Sequence, residues 1–443
     1  MRMLILRLLS RRGFALRATA LVVLGALAAC NLSVDNPDRV QDPLLNDPGA
    51  HAAVVAGASL AVSKAINWVA FFGGDASKEF TQGGRIHPVK LPLDPGQLSV
   101  QEIPDVAWDS AQQARWVAED AVRRFRDVMG AQFDSYDLGA KALLYAGYAN
   151  RLLGENMCEA VIDGGAPSDY KDYFRRAESA LTEAISVAGA AGDARVSTAA
   201  TAARASVRLM LGDDAGAASD AAAVPTDFVF QAVYSIENED YYNFLYWVNA
   251  NQPYREISVS GTSNEQYYKD TGDPRVAWST NPAVPTAEFR YVPWLFPTKY
   301  TGRNSPINLS TGREMRLVEA ELALRAGDWP TAMTKINGVR TVVISDSTAQ
   351  DSTRHPLAPW PATNIIEAWT ALKRERGIVL WLEARRLGDE RRWVDSTTPG
   401  VMEDMSDRVR LCFPIGLGER RANTNVGPNH VDPKNPLYQG TLP

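Results

Sequence analysis

Three cysteines and four histidines are spread over 443 residues. His51, His87, His355 and His430 stand far apart, and with so few thiols they form no metal-ligand spacing. No cofactor motif is present either. Beyond the N-terminal segment, no stretch reads as a bilayer span, which needs about 20 apolar residues. An excess of basic charge is also missing: 46 Lys and Arg face 52 Asp and Glu. Binding to phosphate backbones needs a basic face, so nucleic acid is excluded as the main partner.

What is present begins with a targeting segment. Arg2, Arg7, Arg11, Arg12 and Arg17 form a basic start without one acid. Leu16 and the run from Ala18 to Ala29 follow, too short to span a bilayer and suited to a signal sequence. The run ends in Leu27-Ala28-Ala29-Cys30, which resembles a lipobox. That resemblance implies cleavage before Cys30, which becomes the lipidated first residue. Ser10-Arg11-Arg12-Gly13-Phe14 also resembles a twin-arginine export signal, a looser pattern. The mature chain then holds 414 residues, and losing five arginines leaves 41 bases against 52 acids, a net charge of -11. Residues 31–48, "NLSVDNPDRVQDPLLNDP", read as an extended tether. The rest, 49–443, is expected to be one domain. Cys158 and Cys412 either form one disulfide or stay as two buried thiols; spacing does not decide.

Helical periodicity dominates the body. The expected helices cover 49–66, 109–130, 137–155, 169–189, 195–223, 312–326, 330–343 and 364–388. In "YFRRAESALTEAISVA", Phe174, Ala177, Leu181, Ala184 and Ile185 share one face. Trp116, Trp329, Trp381 and Trp393 lie in helical patterns and are assigned to the core. Between Tyr234 and Tyr300 the texture changes: 15 of the 39 aromatics fall in 67 residues broken by Pro, Gly and Asn. This region, within an insert at about 225–310, reads as loops with short strands at 255–260 and 289–293. A last strand is expected at 408–413.

A weak repeat is visible. "LMLGDDAGAASDA" (209–221) and "LALRAGDWPTAMTKI" (322–336) both run helix, Gly-Asp turn, helix. Gly212-Asp213 aligns with Gly327-Asp328, and Ala217 with Ala332. A tight turn followed by a small residue at the helix crossing is what a tetratricopeptide-type hairpin requires.

The stretch "RERGIVLWLEARRLGDERRW" (374–393) alternates bases and acids. It is too mixed for a nucleic-acid helix, and every acid has an arginine in reach, with Glu383 and Arg386 expected to pair. A charged helix tied into the scaffold by ion pairs fits better. The same stretch resembles the C-terminal signature of SusD/RagB lipoproteins, roughly E-R-x-x-E-L-x-x-E-G-x-R-x-x-D-L-R-R-W. Glu375, Arg376, Leu380, Glu383, Arg386, Asp389, Arg391, Arg392 and Trp393 match, while Val379, Ala384 and Glu390 depart. Residues 316–341 resemble the family's segment ending I-N-x-V-R, with Ile336, Asn337, Val339 and Arg340 in place. Asp273-Pro274-Arg275 matches its D-P-R turn. Pro414, Ile415, Glu419, Asn423 and Asn425 match its P-I-P-x-x-E…N-P-N-L run, with Gly416 and Thr424 where prolines are usual.

The resemblance implies a mainly α fold: a tetratricopeptide-like helical-hairpin scaffold with a loop-rich aromatic insert and few short strands. It implies a lipid-anchored outer-membrane protein, expected at the cell surface. Its partner would be a SusC-like TonB-dependent barrel, and its ligand an oligosaccharide or a peptide, bound without hydrolysis. The motifs that match are framework and name no ligand residue. From the residues themselves, two regions qualify for binding. One holds Trp68, Phe71 and Phe72 with Asp75, Glu79 and Arg85, where Gly73-Gly74 argues for a loop. The other is the insert, with Trp247, Tyr254, Trp278, Tyr291, Trp294 and Tyr300. Aromatic faces beside polar groups suit a saccharide, although such side chains often anchor loops instead. Two readings compete with capture. A helical-repeat lipoprotein that only scaffolds envelope proteins would need no aromatic insert. A glycoside hydrolase would need two carboxylates across a cleft, and only Asp75 and Glu79 sit beside aromatics.

Overall fold

Of the first of two units in the chain, Met1–Asp47, the computed structural model describes only residues 42–47, a 3-10 turn over Asp42–Asn46. Of the second, Pro48–Pro443, it describes 48–83, 105–250, 255–287, 292–341, 357–406, 408 and 411–430. Cys30, Arg85, Tyr254 and Tyr291 lie outside the described residues.

The body opens with α1 (His51–Ala76), which runs ten residues past its expected end and contains Trp68, Phe72 and Asp75. Gly73-Gly74 does not break it. A side chain on Gly74 would sit 2.5 Å from the Phe80 ring, so the glycine serves close packing within a helix. By length and composition α1 could cross a bilayer, contrary to the expectation that no later segment qualifies. Its second half is buried all round, from Val69 to Ala76. That is the pattern of a core helix.

Helices α2 (Asp105–Met129), α3 (Asp137–Asn156), α4 (Lys171–Ala191), α5 (Ala194–Leu211) and α6 (Asp214–Ala223) each pack on the one before. Their contacts are made largely by alanine, including Ala111, Ala140, Ala177, Ala199 and Ala217, all fully buried. Small side chains let helix axes approach closely. The expected single helix at 195–223 is two, parted at Gly212 with φ 85°. Two more helices, α7 (Phe244–Ala250) and α8 (Ser263–Thr271), stand inside the insert expected to be loops and strands. The chain then forms α9 (Gly312–Arg325), α10 (Trp329–Thr341), α11 (Ile365–Val379), α12 (Arg386–Asp395) and α13 (Leu417–Ala422).

The Gly-Asp repeat is real in three dimensions. Gly212 and Gly327 take φ 85° and 82°. Asp213 accepts from Gly216 N at 3.0 Å and Asp328 from Thr331 N at 3.2 Å, capping the second helix of each pair. Ala217 and Ala332 are both fully buried at the crossings. Gly192-Asp193 is a third copy, with φ 77° and an Asp193 cap on Val196 N.

Strands are short and pair two by two among the described residues. The longest pair is β4 (Val229–Ala232) with β8 (Ile307–Thr311), antiparallel with a bulge at Phe230/Gln231. The others are β1 (Thr81–Gln82) with β5 (Ile257–Ser258), β2 (Glu159–Ala160) with β3 (Ser168–Asp169), and β6 (Trp278–Ser279) with β7 (Phe296–Pro297). Of the strand expected at 408–413, the described residues 408 and 411–413 show only a single parallel bridge from Phe413 to Met157. Beside that bridge Cys158 and Cys412 form a disulfide, with Cα atoms 5.0 Å apart.

The expected helix at 364–388 ends at Val379. Leu382 and Ala384 then take φ 59° and 62°, a left-handed turn that α12 follows. Ala384 stands where the family pattern has Gly, and the positive φ explains that preference. Glu383 and Arg386 do not pair. Glu383 accepts from Lys299 Nζ at 2.7 Å, and Arg386 binds Glu390 at 2.7 Å. The other arginines reach buried acids and carbonyls: Arg385 to Glu155 and Glu314, Arg392 to Glu321 and Asp389, Arg391 to the carbonyl of Met157. This is framework. Trp381 and Trp393 are core as expected, and Trp329 is half-buried, but Trp116 is 55 % exposed on α2.

Candidate functional site

Of the first expected binding region, Phe71, Phe72, Asp75 and Glu79 are buried in the core, Trp68 is half-buried, and Arg85 lies outside the described residues. Phe72 is buried, with its ring 5.3 Å from Phe71. Asp75 is fully buried on α1. Glu79 is also buried and accepts from Leu382 N at 2.9 Å. Burial pushes its carboxyl up to about 7, against the pull of that N–H and of Arg386. Trp68 is half-buried, 4.3 Å from Phe244, which also meets Trp247 at 5.9 Å. The structure thus gathers Trp68, Phe71 and Trp247 around Phe244, with Phe72 behind Trp68 and Phe71. In the insert, Trp294 is buried and donates to Asn249 Oδ1 at 3.3 Å. Trp278 is half-buried under Lys269, whose Nζ lies 5.6 Å from its ring. Tyr300 is buried, its hydroxyl donating to Leu382 O at 3.0 Å. None of the buried rings offers a ligand a face in this conformation.

Open space lies in a different region, where Trp360 is half-buried and Tyr267 behind it is buried. Between α8, α11 and the segments around Trp360 and Val401 lies a cleft of about 780 Å³. One wall is the stacked pair Tyr267 and Trp360, 5.8 Å apart and inclined by 23°. Pro361, Ala371 and Val401 extend the apolar surface, and Val401 is 63 % exposed. Gln266, Asp270, Glu367 and Thr370 stand at the polar mouth, where Gln266 Nε2 donates to Asp270 Oδ1 at 2.7 Å. A cleft of a few hundred Å³, mainly apolar with a few polar groups, is the ordinary form of a small-ligand site.

The wall is held rigidly from behind. Tyr267 donates its hydroxyl to Asp273 Oδ2 at 2.8 Å and accepts from Arg340 Nη1 at 2.6 Å. Burial, then the Asp273 charge, pushes the phenol up to about 12, so it stays a neutral donor. Trp360 donates Nε1 to Glu375 Oε2 at 2.9 Å, and Asn337 brackets its backbone at 2.7 and 3.2 Å. The Arg340 guanidinium lies 4.1 Å from the Trp360 ring centre, and Arg374 lies 4.5 Å from that of Tyr267. Arg275 bridges Asp273 to Glu375. Asp273 and Arg275 are the D-P-R turn, Asn337 and Arg340 the I-N-x-V-R ending, and Glu375 opens the arginine-rich signature. Three separated framework motifs therefore converge to fix one aromatic wall.

Sequence reasoning passed over this cleft. Its signal was Trp360 bracketed by Pro359 and Pro361, an aromatic held on a stiff, exposed segment. The pairing of Trp360 with Tyr267 is a tertiary contact across 93 positions, and no local pattern reports it. Of the acids around the cleft, Glu403 is tied to Arg374 and Glu375, behind the wall, to Arg275, while Asp270 and Glu367 stand at the mouth. Lys373 lies in the same wall, but its Nζ donates to the carbonyls of Thr398, Pro399 and Gly400. Burial lowers its pKa to about 8. No cluster of His, Cys, Asp and Glu with metal-binding geometry occurs among the described residues.

No protein-family model matches the chain, and no curated protein matches it in sequence. Solved structures do match. A SusD-like protein from Bacteroidetes superposes with a TM-score of 0.58 at 14 % identity, covering 82 % of this chain and 94 % of its own. A structure from Bacteroides vulgatus described as a sugar-binding protein gives 0.57 at 14 % identity, with 86 % and 98 % covered. A laminarin-binding SusD-like protein gives 0.51 at 15 % identity, with 83 % and 96 % covered. With nearly the full length of each relative spanned and the helix-hairpin scaffold in common, this chain has the SusD-like fold.

Proposed function

We propose that this protein captures an oligosaccharide at the outer membrane and passes it to a SusC-like TonB-dependent transporter. Lipid on Cys30 would anchor it, and residues 31–48 would tether the body. One observation carries the reading: a SusD-like body holds half-buried Trp360, backed by buried Tyr267, in a cleft with a carboxylate and carboxamide mouth. A sugar ring offers a C–H face to an aromatic surface and hydroxyls to groups such as Gln266, Asp270 and Glu367. Some structural neighbours are described as binding carbohydrate or laminarin, which supports the same ligand class. Half-buried Trp68, Trp247 and Trp278, with Arg85, Tyr254 and Tyr291, remain proposed contacts for a longer ligand. Binding without hydrolysis is part of this reading; the carboxylate pair that a hydrolase would have used beside the first aromatics, Asp75 and Glu79, is buried in the core.

Titration calorimetry with laminari-, malto- and xylo-oligosaccharides tests this. The account expects binding to at least one series, weakened about tenfold or more by Trp360→Ala and by the rim variant Gln266→Ala. Binding of peptides but of no saccharide, or saccharide binding indifferent to both variants, would contradict it.

A further inference from the structure

Trp116 is the one tryptophan of eleven that is more exposed than covered. It faces a second cleft, of about 350 Å³, that shares no lining residue with the Tyr267–Trp360 cleft. Its walls are the α2 face carrying Gln112, Gln113 and Trp116, the Val161–Gly164 loop and Glu419 of α13.

This cleft is built. Asp163 and Gly164 take φ 51° and 74°, and Gly165 N donates to Ile162 O at 2.9 Å, closing a tight turn of the mirror-image type that Asp-Gly favours. Asn423 Nδ2 donates to Gly165 O at 2.9 Å and Asn425 Nδ2 to Gly164 O at 2.8 Å, so two motif asparagines clamp the turn from outside. The turn delivers the Asp163 carboxylate to Arg115, buried in the floor, with Oδ1 2.9 Å from Nη2. Arg115 is held in turn by Gln112 and Glu119. The Asp163 side chain nevertheless remains 62 % exposed. An open indole thus stands across from a fixed carboxylate, with the exposed Gln113 amide and the half-buried Glu419 on the rim.

We infer that the Trp116 cleft is a second saccharide site, taking one neutral sugar ring, and this rests on the proposed role in saccharide capture. The ring lies on the indole, and its hydroxyls donate to Asp163 and Glu419 and meet the Gln113 amide. A neutral polyol fits better than an anion, because both carboxylates face the cleft. It fits better than a cation, because Arg115 already offsets Asp163. Two separated sites of modest strength on one body would hold a long glycan at two points and raise its residence by effective concentration.

The test is fluorine NMR of the full chain labelled with 5-fluorotryptophan, with the Trp116 and Trp360 resonances assigned by W116F and W360F. The probes are the same three oligosaccharide series and tetramethylammonium. The inference expects the Trp116 resonance to move with an oligosaccharide that also moves Trp360, with a midpoint raised about tenfold by Gln113→Ala. Movement of Trp360 alone overturns the second site and leaves the capture role standing. Movement of Trp116 only with tetramethylammonium overturns it in favour of a cationic ligand. Silence of both resonances with every saccharide overturns both.

Discussion

Arg376 and Asp389 meet through two parallel hydrogen bonds, Nε to Oδ2 at 2.8 Å and Nη2 to Oδ1 at 2.9 Å, both buried. Asp389 also takes Arg392 Nη2 at 2.9 Å. Burial alone would push its carboxyl up, but Arg376 and Arg392 more than reverse this and hold it far below the usual carboxylate range. This buried fork is what the alternating charges of residues 374–393 are for: it locks α12 to α11 across the left-handed turn.

Removing one partner of a buried pair leaves the other charge unpaired, at a cost of about 3–5 kcal/mol. Asp389→Ala is therefore expected to lower unfolding stability by about that amount. Arg376→Met with Asp389→Leu should cost less than the single change. Urea unfolding of the three chains at pH 7 decides it; a single variant as stable as wild type would remove the fork from the framework.

Glu79 gives the opposite sign. Its folded pKa of about 7 lies above the ordinary 4.5, so the folded state keeps a proton that the unfolded chain has lost. Its contribution to stability is complete below pH 4.5 and declines as pH rises to about 7, by on the order of 3 kcal/mol. Glu79→Gln keeps the acceptor for Leu382 N and removes the titration. The urea midpoint of this variant should exceed wild type at pH 8 and match it near pH 4.5. A wild-type midpoint offset from the variant by the same amount at both pH values would show that Glu79 does not titrate this way.

The Cys158–Cys412 bond joins the end of α3 to the C-terminal segment across a sequence separation of 254. A crosslink closing so long a loop restricts the unfolded chain strongly, and native disulfides are typically worth about 2–5 kcal/mol. Reductant should lower the melting temperature of the wild type. It should leave Cys158→Ser with Cys412→Ser unchanged, already at the lower value. Equal melting with and without reductant would mean the bond adds nothing to stability.

Arg340 holds the aromatic wall by lying on Trp360 and donating to Tyr267. Arg340→Met keeps the bulk and deletes the charge and the hydrogen bonds. Saccharide affinity should fall about tenfold while circular dichroism stays helical. A variant that binds as wild type would show that the wall needs no arginine behind it.

The helices were legible where apolar spacing is regular, as in residues 169–189, and the Gly-Asp turns were legible because only a few residues tolerate their backbone. The errors have physical causes. Gly73-Gly74 looked like a loop because glycine marks turns and tight packing alike, and only the Phe80 ring separates the two. Leu382 and Ala384 hid a left-handed turn because neither residue favours it. Trp116 sat at a helical position but on the outer face, since α2 buries its alanines instead. The aromatic insert drew attention by composition, yet its buried rings mainly pack. The cleft wall depends on contacts between Tyr267, Arg340, Trp360 and Glu375, far apart in sequence and joined only by the fold.

The most direct test of the central claim is purification of the tagged, full chain from detergent-solubilised outer membranes of its host, with mass spectrometry of what accompanies it. The account predicts a TonB-dependent barrel in stoichiometric amount. Recovery of the chain with periplasmic or assembly proteins and no barrel, even after cross-linking, would contradict it and favour a scaffold.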